Sequence, residues 1–574
     1  MPEGNYWTHR ISRRTALRGA GIGVAGLAGA ALIGCGDSKD DEPAPQTEVQ
    51  QRATAVVAAG AQAKPGGTFT FNTGSGNIPH LDLRQYGYYS VADLSLLMHK
   101  RLMRPSKANH EPELDIAASL EQPDPTTFIF KLIPGVKFQD RAPVNGRELA
   151  AEDVVASLKG VAGSGSTFLY ANELAKVDRI EAVDKSTVKL VMKQPDVTTL
   201  TALMLPPMVI LPKEVLETFK NDIKSPEANI GLGPFMVEKW NPDTGGTFVP
   251  NPNYYLKGKP YIQKVQHFVI PDAAVAWARF LSGELTKGSV NAKDLDSIAN
   301  DKKYFLSENT PYFSAVVAIP NQTRAPFTDP RSIKALHLLN SRYEFPDLAY
   351  KGRGKLAIGL GTMHRSWMLS QDAIQKLPGH RPQGSKERDE DIKNGMALLS
   401  AMGFSKSKPM TFEPLMATLS SGYGAGRLLG EYWAAMWERE SGGAVKPTVK
   451  LVDYAATKER EIQGQFDMTG SLYTTGPDPD NVFTTLYHST GGRNYGKHKD
   501  PVLDDMIVKQ RAIFKSEERH AAVNKIQEHL ATADNPGPIS FGAFPSVYAW
   551  PSTLKDFNGD AMAHWQLEHA WFDA

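Results

Sequence analysis

Pro134-Gly135-Val136-Lys137-Phe138-Gln139-Asp140, running on through Asn145-Gly146-Arg147-Glu148-Leu149-Ala150-Ala151-Glu152-Asp153-Val154-Val155-Ala156-Ser157-Leu158, is where the chain becomes readable. Just ahead of it, Thr127 to Leu132 alternates so that Phe128, Phe130 and Leu132 share one face, the period of a strand. Pro134-Gly135 turns the chain, because proline pre-sets one backbone angle and glycine accepts the positive one. Val136 to Phe138 predicts a short second strand, and Gln139 to Arg147 a polar loop. From Ala151 the period becomes helical: Val154, Val155 and Leu158 form an apolar stripe, and Glu152 and Asp153 lie at the positive end of the helix dipole. Ala150 occupies the N-cap, where a residue with a side-chain acceptor is preferred.

A strand, a turn, a short strand and an amphipathic helix occur in many folds. The wording P-G-V-K-F-x-D followed by N-G-R-E-L-x-A-E-D-V-V-x-S-L is more specific, and it resembles the family 5 extracellular solute-binding proteins, the dipeptide-, oligopeptide- and nickel-binding components of ABC importers. Further blocks resemble the same family in the same order: Gly231 to Val237, Asn251 to Tyr261, Ile270 to Glu284, Pro326 to Arg331, and the D-P-D-N turn Asp478-Pro479-Asp480-Asn481. The stretch Asn340 to Lys351 departs from the family's wording. The resemblance implies an α/β, two-lobed periplasmic-binding-protein-like fold (type II, cluster C) with an extra domain and discontinuous lobes. On that pattern residues 64–103, 210–325 and 535–574 form lobe I, 104–209 the extra domain II, and 326–534 lobe III.

Length and charge set the outer limits. A chain of 574 residues can bury more than one core. Lys and Arg number 64 against 63 for Asp and Glu, which leaves no global field to attract nucleic acid. The single cysteine, Cys35, excludes an intrachain disulfide.

That cysteine closes a leader. Ser12-Arg13-Arg14-Thr15-Ala16-Leu17-Arg18 resembles a twin-arginine export motif, with Ala16 where phenylalanine is usual, so Sec export stays open. The apolar run Gly19 to Ile33 is too short to span a bilayer, which needs about 20 residues. Leu32-Ile33-Gly34-Cys35 resembles a lipobox, which makes residues 1–35 a lipoprotein signal peptide with Cys35 as the acylated residue. Residues 36–63, without apolar period, are expected to be a flexible tether. The implied location is extracytoplasmic, with the membrane reached through the lipid anchor only.

The body opens with the predicted strand Thr68 to Phe71, followed by a loop from Thr73 to Asp82 that the resemblance turns toward the cleft. Hairpin strands are predicted around Asp184-Lys185, a helix over Arg427 to Ser441 with Leu428, Tyr432, Ala435 and Met436 on its inner side, and a strand at Val449 to Val452. Two helices are predicted over Pro501 to Leu530, the second capped by Ser516. By resemblance the ligand-contacting residues are Ser75, Tyr88, Tyr89, Ser420, Tyr423, Tyr473, Thr474, Thr475 and Asp478. In dipeptide-binding members an aspartate shortly before the D-P-D-N turn receives the peptide's α-ammonium; its place here is taken by Thr475, and that of the carboxylate-binding arginine by Ser420. The aromatics around Tyr86 to Tyr89, with Tyr423, Tyr432, Trp433 and Tyr473, could line a ligand cleft, but for each of them core packing outweighs ligand contact.

Catalytic patterns are weak. Gly74-Ser75-Gly76 and Gly163-Ser164-Gly165 lack the G-x-S-x-G spacing. Ser186-Thr187-Val188-Lys189 matches S-x-x-K, but within a strand pattern. None of the 14 histidines forms H-E-x-x-H, and no metal site or cofactor is expected. The sequence therefore points to a receptor that is not an enzyme, is a monomer, and delivers a peptide or other small-molecule ligand to ABC permease subunits. A receptor for an opine, oligosaccharide or metal chelate is the alternative within transport; a periplasmic hydrolase, or a sensory or chaperone-like lipoprotein, is the alternative outside it.

Overall fold

Strand Thr127–Leu132 forms as its alternation requires, with Phe128 and Phe130 fully buried. It lies inside a four-stranded antiparallel sheet ordered Ala117–Asp124, Thr127–Leu132, Thr187–Met192, Val177–Asp184, the last two joined by the expected hairpin at Asp184-Lys185. Gly135 takes φ +74°, the left-handed turn that glycine permits. Val136 to Phe138 pairs only through one bridge, Lys137 with Glu148, because the polar loop folds straight back on it: the Phe138 amide donates to the Arg147 carbonyl and the Leu149 amide to that of Val136. Helix Ala151–Ala162 covers the sheet with Val154, Leu158 and Val161, while Val155 is only partly buried. Ala150 offers no cap. Asp153 compensates by accepting the Ala150 amide (2.9 Å), the Lys213 amide (2.9 Å) and the Arg147 guanidinium (2.6 and 2.8 Å).

The structure, a computed structural model, describes residues 63–573 apart from 74–77, 86–93, 107–110, 164–170, 291, 308–315, 346–351, 353, 419–424, 473–475, 477, 544–546 and 560–566. The leader with Arg13, Arg14 and Cys35, and the tether, lie outside the described residues.

The first strand, Thr68–Thr73, runs parallel to Lys264–Val269, which pairs antiparallel with Gly245–Pro250 and that strand with Phe235–Asn241. Phe69 and Phe71 point into a core completed by Trp550, Leu554, Phe557 and Leu567, so the two ends of the chain share one interior. A Cβ at Gly233 would come within 2.3 Å of the Leu97 carbonyl oxygen, and one at Gly231 within 2.1 Å of that of Met98, which is why the entry to strand Phe235–Asn241 reads Gly-Leu-Gly. The core around the antiparallel sheet continues through Leu232.

A five-stranded mixed sheet, ordered Lys450–Asp453, Pro414–Thr418, Met468–Leu472, Val316–Pro320, Ile539–Gly542, carries two further cores. Helix Ala425–Glu440 packs on it. Its inner face is Leu429, Tyr432, Trp433, Met436 and Trp437, not the expected set: Leu428 is 39% exposed and Ala435 is exposed. The two tryptophans set the rotation, since burying them removes far more apolar surface than Leu428 and Ala435 would. Gly470 makes the fit possible, because a Cβ there would meet the Trp433 ring at 2.1 Å. Helices Pro501–Gln510 and Ser516–Thr532 follow. The first is capped by Asp500; Ser516 is the first residue of the second and makes no capping bond, its hydroxyl lying instead beside His520 Nδ1 (3.3 Å).

Ser186 sits at the exposed hairpin turn, where Asp184 accepts both its amide (2.7 Å) and its hydroxyl (3.0 Å), the arrangement of a turn and not of an activated nucleophile. Among the described residues no three potential metal ligands cluster, and no helix is long and apolar enough to cross a membrane.

Candidate ligand-binding site

The register of the five-stranded sheet brings several strand ends to one edge. Thr418 pairs with Asp453, and Leu415 with Thr469, which brings Thr418 level with Leu472. Leu472 pairs with Val316, and Val316 with Gly542. The sequence candidates Ser420 and Tyr423 follow Thr418 directly, and Tyr473, Thr474 and Thr475 follow Leu472; all five lie outside the described residues, as do Ser75, Tyr88 and Tyr89. Crevices outside the carboxyl ends of strands are where open α/β sheets bind ligands.

Two carboxylates near this edge have different surroundings. Asp453 is exposed and caps helix Tyr454–Gln463 by accepting the Ala456 amide (2.9 Å). Asp478 is buried. It caps the short helix Pro479–Val482 by accepting the Asp480 amide (2.8 Å), receives both ends of the Arg519 guanidinium (2.5 and 2.8 Å), and accepts the Thr201 hydroxyl (3.1 Å). Burial pushes its carboxyl up, and Arg519 outweighs this, holding it below the usual aspartate value. Arg519 is itself fixed over the Trp367 ring (4.8 Å to the centroid) and bonded to Gln510 (2.9 Å). The charge of Asp478 is thus balanced within the protein.

Between Leu472 and Asp478 the chain is held at Gly476. Its carbonyl accepts from His364 Nε2 (3.0 Å), and its amide donates to Asn481 Oδ1 (3.0 Å). Burial lowers the His364 pKa to about 4, so the ring is neutral at physiological pH and its Nε2–H is a fixed donor. The other end of the Asn481 amide donates to Glu173 Oε1 (3.1 Å). His364, Thr201, Arg519 and Glu173 were not found from sequence. Their partners stand 112, 277, 41 and 308 residues away, and no local period marks such pairs. Tyr432 and Trp433 belong to the core, as the sequence favoured.

Residues 111–494 match the family described as bacterial extracellular solute-binding proteins, family 5 Middle. This chain belongs to family 5 of the bacterial extracellular solute-binding proteins. It is 25% identical over 429 residues to the probable di/tripeptide-binding protein 5 of Pseudomonas aeruginosa, covering 71% of this chain and 77% of the relative. It is 22% identical over 490 residues to the periplasmic oligopeptide-binding protein OppA of Salmonella typhimurium, covering 83% and 87%. Among solved structures, the ABC transporter substrate binding protein CtaP of Listeria monocytogenes superposes with a TM-score of 0.73 at 19% identity, over 89% of this chain and all of that one. The family 5 protein described here therefore has the two-lobed binding-protein fold, and its sheet edge at Thr418, Asp453 and Leu472 belongs to a solute receptor.

Proposed function

We propose that this family 5 protein captures a peptide or peptide-like solute between its lobes and delivers it to ABC permease subunits, binding without chemistry and acting as a monomer. Family membership across residues 111–494 carries the reading; the relatives that bind di-, tri- and oligopeptides give it its solute class. Ser75, Tyr88, Tyr89, Ser420, Tyr423, Tyr473, Thr474 and Thr475 are the proposed contacts. Residues 64–103, 210–325 and 535–574 are the proposed lobe I, 104–209 domain II, and 326–534 lobe III. Closure by hinge motion makes occupancy visible from outside, because ligand shifts the population toward the closed form. Mass spectrometry of gently isolated protein is expected to release a bound small peptide, and adding that compound back to stripped protein to reduce the radius of gyration in small-angle scattering. An unchanged scattering curve at saturation counts against the hinge.

The proposal includes export by the twin-arginine motif at Arg13 and Arg14 and anchoring through acylated Cys35. Acyl chains contribute about 0.8 kcal/mol per buried methylene, and the cysteine precedes the folded body by the whole tether. Cys35→Ser is expected to leave the body folded but move it to the soluble fraction; retention in salt-washed membranes would refute the anchor. Replacing Arg13 and Arg14 together by lysine is expected to stop export, and normal export of that variant would assign the leader to Sec.

A further inference from the structure

Residues 173–201, in the proposed domain II, meet residues 478–519, in the proposed lobe III. Neutral donors cross between them: the Asn481 amide to Glu173 (3.1 Å), the Thr201 hydroxyl to Asp478 (3.1 Å) and the Val197 backbone amide to the Arg511 carbonyl (3.0 Å). Charged groups crowd around these bonds. Glu173, Lys176 and Asp196 stand on one side and Asp478, Asp480, Arg511 and Arg519 on the other, none of them more than 24% exposed. These carboxylates outnumber the cations by one, so the fully ionised cluster encloses an uncompensated negative charge. The neutral His364 faces Asp478, and Lys193 stays outside, exposed, on the Ala175 carbonyl (2.8 Å). Residues 164–170, next along the chain, contain no Asp, Glu, Lys, Arg or His.

The deficit falls on Glu173. Asp478 receives both ends of Arg519, and Asp480 accepts from Arg511 (2.8 Å), Gln510 (2.7 Å) and Thr484 (3.2 Å). Asp196 is held by the Thr198 amide (2.9 Å) and hydroxyl (2.5 Å), with Lys176 at 3.3 Å. Glu173 shares that lysine at 3.6 Å and faces Asp480 across the contact. Burial pushes its carboxyl up; Lys176 opposes this, and Asp480 and Asp196 add to the rise. Burial raises Asp480 as well, against the pull of Arg511. Glu173 is the more open of the two, 15% exposed against 6%, and so the more accessible to a proton from solvent. Protonation keeps the bond from Asn481, since the carbonyl oxygen of a carboxylic acid still accepts. We propose that Glu173 is a proton-binding site at this contact, taking up a proton from solvent as domain II seats against lobe III and releasing it as they part. A group that binds its proton more tightly closed than open makes acidification favour the closed form, at pH values above the ordinary glutamate range. The mechanical consequence rests on the hinge reading given above; the proton site rests on the cluster itself.

Two measurements on the intact, ligand-free protein test it. Denaturant unfolding between about pH 7.5 and pH 5 counts the protons taken up on folding. Glu173→Gln holds the side chain uncharged at nearly the same size and keeps an acceptor for Asn481. On acidification the folding constant of the unsubstituted protein is expected to gain on that of Glu173→Gln by up to about tenfold per pH unit, the slope of one proton. Thr201→Val breaks a neutral crossing bond and is expected to keep the dependence of the unsubstituted protein. Equal slopes in the unsubstituted protein and Glu173→Gln, or the same loss of slope in Thr201→Val, overturn the proton site. Small-angle scattering over the same range reads the link to closure. The radius of gyration is expected to fall on acidification in the unsubstituted protein and to be small and independent of pH in Glu173→Gln. A scattering curve that ignores pH in both overturns that link, even where the proton count follows Glu173. Both arms are free of ligand, so the reading as a solute receptor stands or falls separately, on the compaction that a bound compound produces.

Discussion

Glu568→Ala is expected to lower the stability of the unit built on strand Thr68–Thr73 by about 3–5 kcal/mol, the cost of removing one partner from a buried ion pair. Glu568 is completely buried six residues before the C-terminus. It accepts from Lys100 (2.7 Å), Arg104 (3.0 Å) and the Tyr254 hydroxyl, and contacts His569 (2.9 Å). Burial pulls Lys100 down, but Asp115 and Glu568 more than offset it, and its pKa ends above the ordinary lysine value. Without Glu568, Lys100 is left buried with Asp115 at 3.4 Å, while Arg104 keeps the half-exposed Glu113 (2.6 Å). The pH sign follows. Burial pushes the Glu568 carboxyl up, yet its cations hold it well below the ordinary value, so its contribution is present above the usual glutamate pKa and is lost as pH falls below it. Scanning calorimetry at neutral pH checks the magnitude. Glu568→Gln, which keeps a neutral acceptor, is expected to lose less than Glu568→Ala. A transition displaced by under about 1 kcal/mol in the alanine variant would show that the ion pair is dispensable.

The local elements of this fold were legible and its long-range pairs were not. Strand Thr127–Leu132 and the Asp184-Lys185 hairpin both form where period and turn chemistry put them, because each signal lies within about ten residues. The helix over residues 425–440 was placed correctly but rotated wrongly. Leu428 and Leu429 are equivalent by hydrophobicity, and what selects Leu429 is the space that Gly470, on a strand 40 residues downstream, leaves for Trp433. The Ser516 cap failed for a related reason: the hydroxyl turned to His520, whose ring stacks on Trp367 at 3.9 Å, a tertiary arrangement invisible to a capping rule. At the candidate site, the D-P-D-N wording located Asp478. Its bidentate Arg519 and the Asn481–Glu173 bond depend on elements that the chain brings together only when folded.

Free dipeptides are expected to bind this receptor at least a hundredfold more weakly than its own ligand. The expectation starts from the proposed placement of Thr475, by resemblance, at the position where dipeptide-binding family members carry the aspartate that receives an α-ammonium. A hydroxyl accepts one hydrogen bond but cannot neutralise a desolvated cation, and an unpaired buried charge costs about 3–5 kcal/mol, a factor of a hundred or more in affinity. On the same proposed placement, Ser420 takes the position of the carboxylate-binding arginine, which would remove the partner of the opposite terminus. Asp478 is a poor substitute for the missing aspartate, since its carboxylate is buried and already receives both ends of Arg519. Asp453 is better placed, exposed at the sheet edge beside Thr418, where among the described residues its side chain accepts the Ala456 amide. The ligand that fits these neutral positions is a blocked or longer peptide, or a solute without a dipeptide's two charged ends. Titration calorimetry with a panel of dipeptides and their N-acetylated counterparts decides it, with Asp453→Asn run beside the unsubstituted protein. Acetylation is expected to leave affinity unchanged or improve it, and Asp453→Asn to leave it unchanged. Micromolar binding of free dipeptides that disappears on acetylation would sink the expectation, and its further loss in Asp453→Asn would identify the carboxylate that had taken over the ammonium.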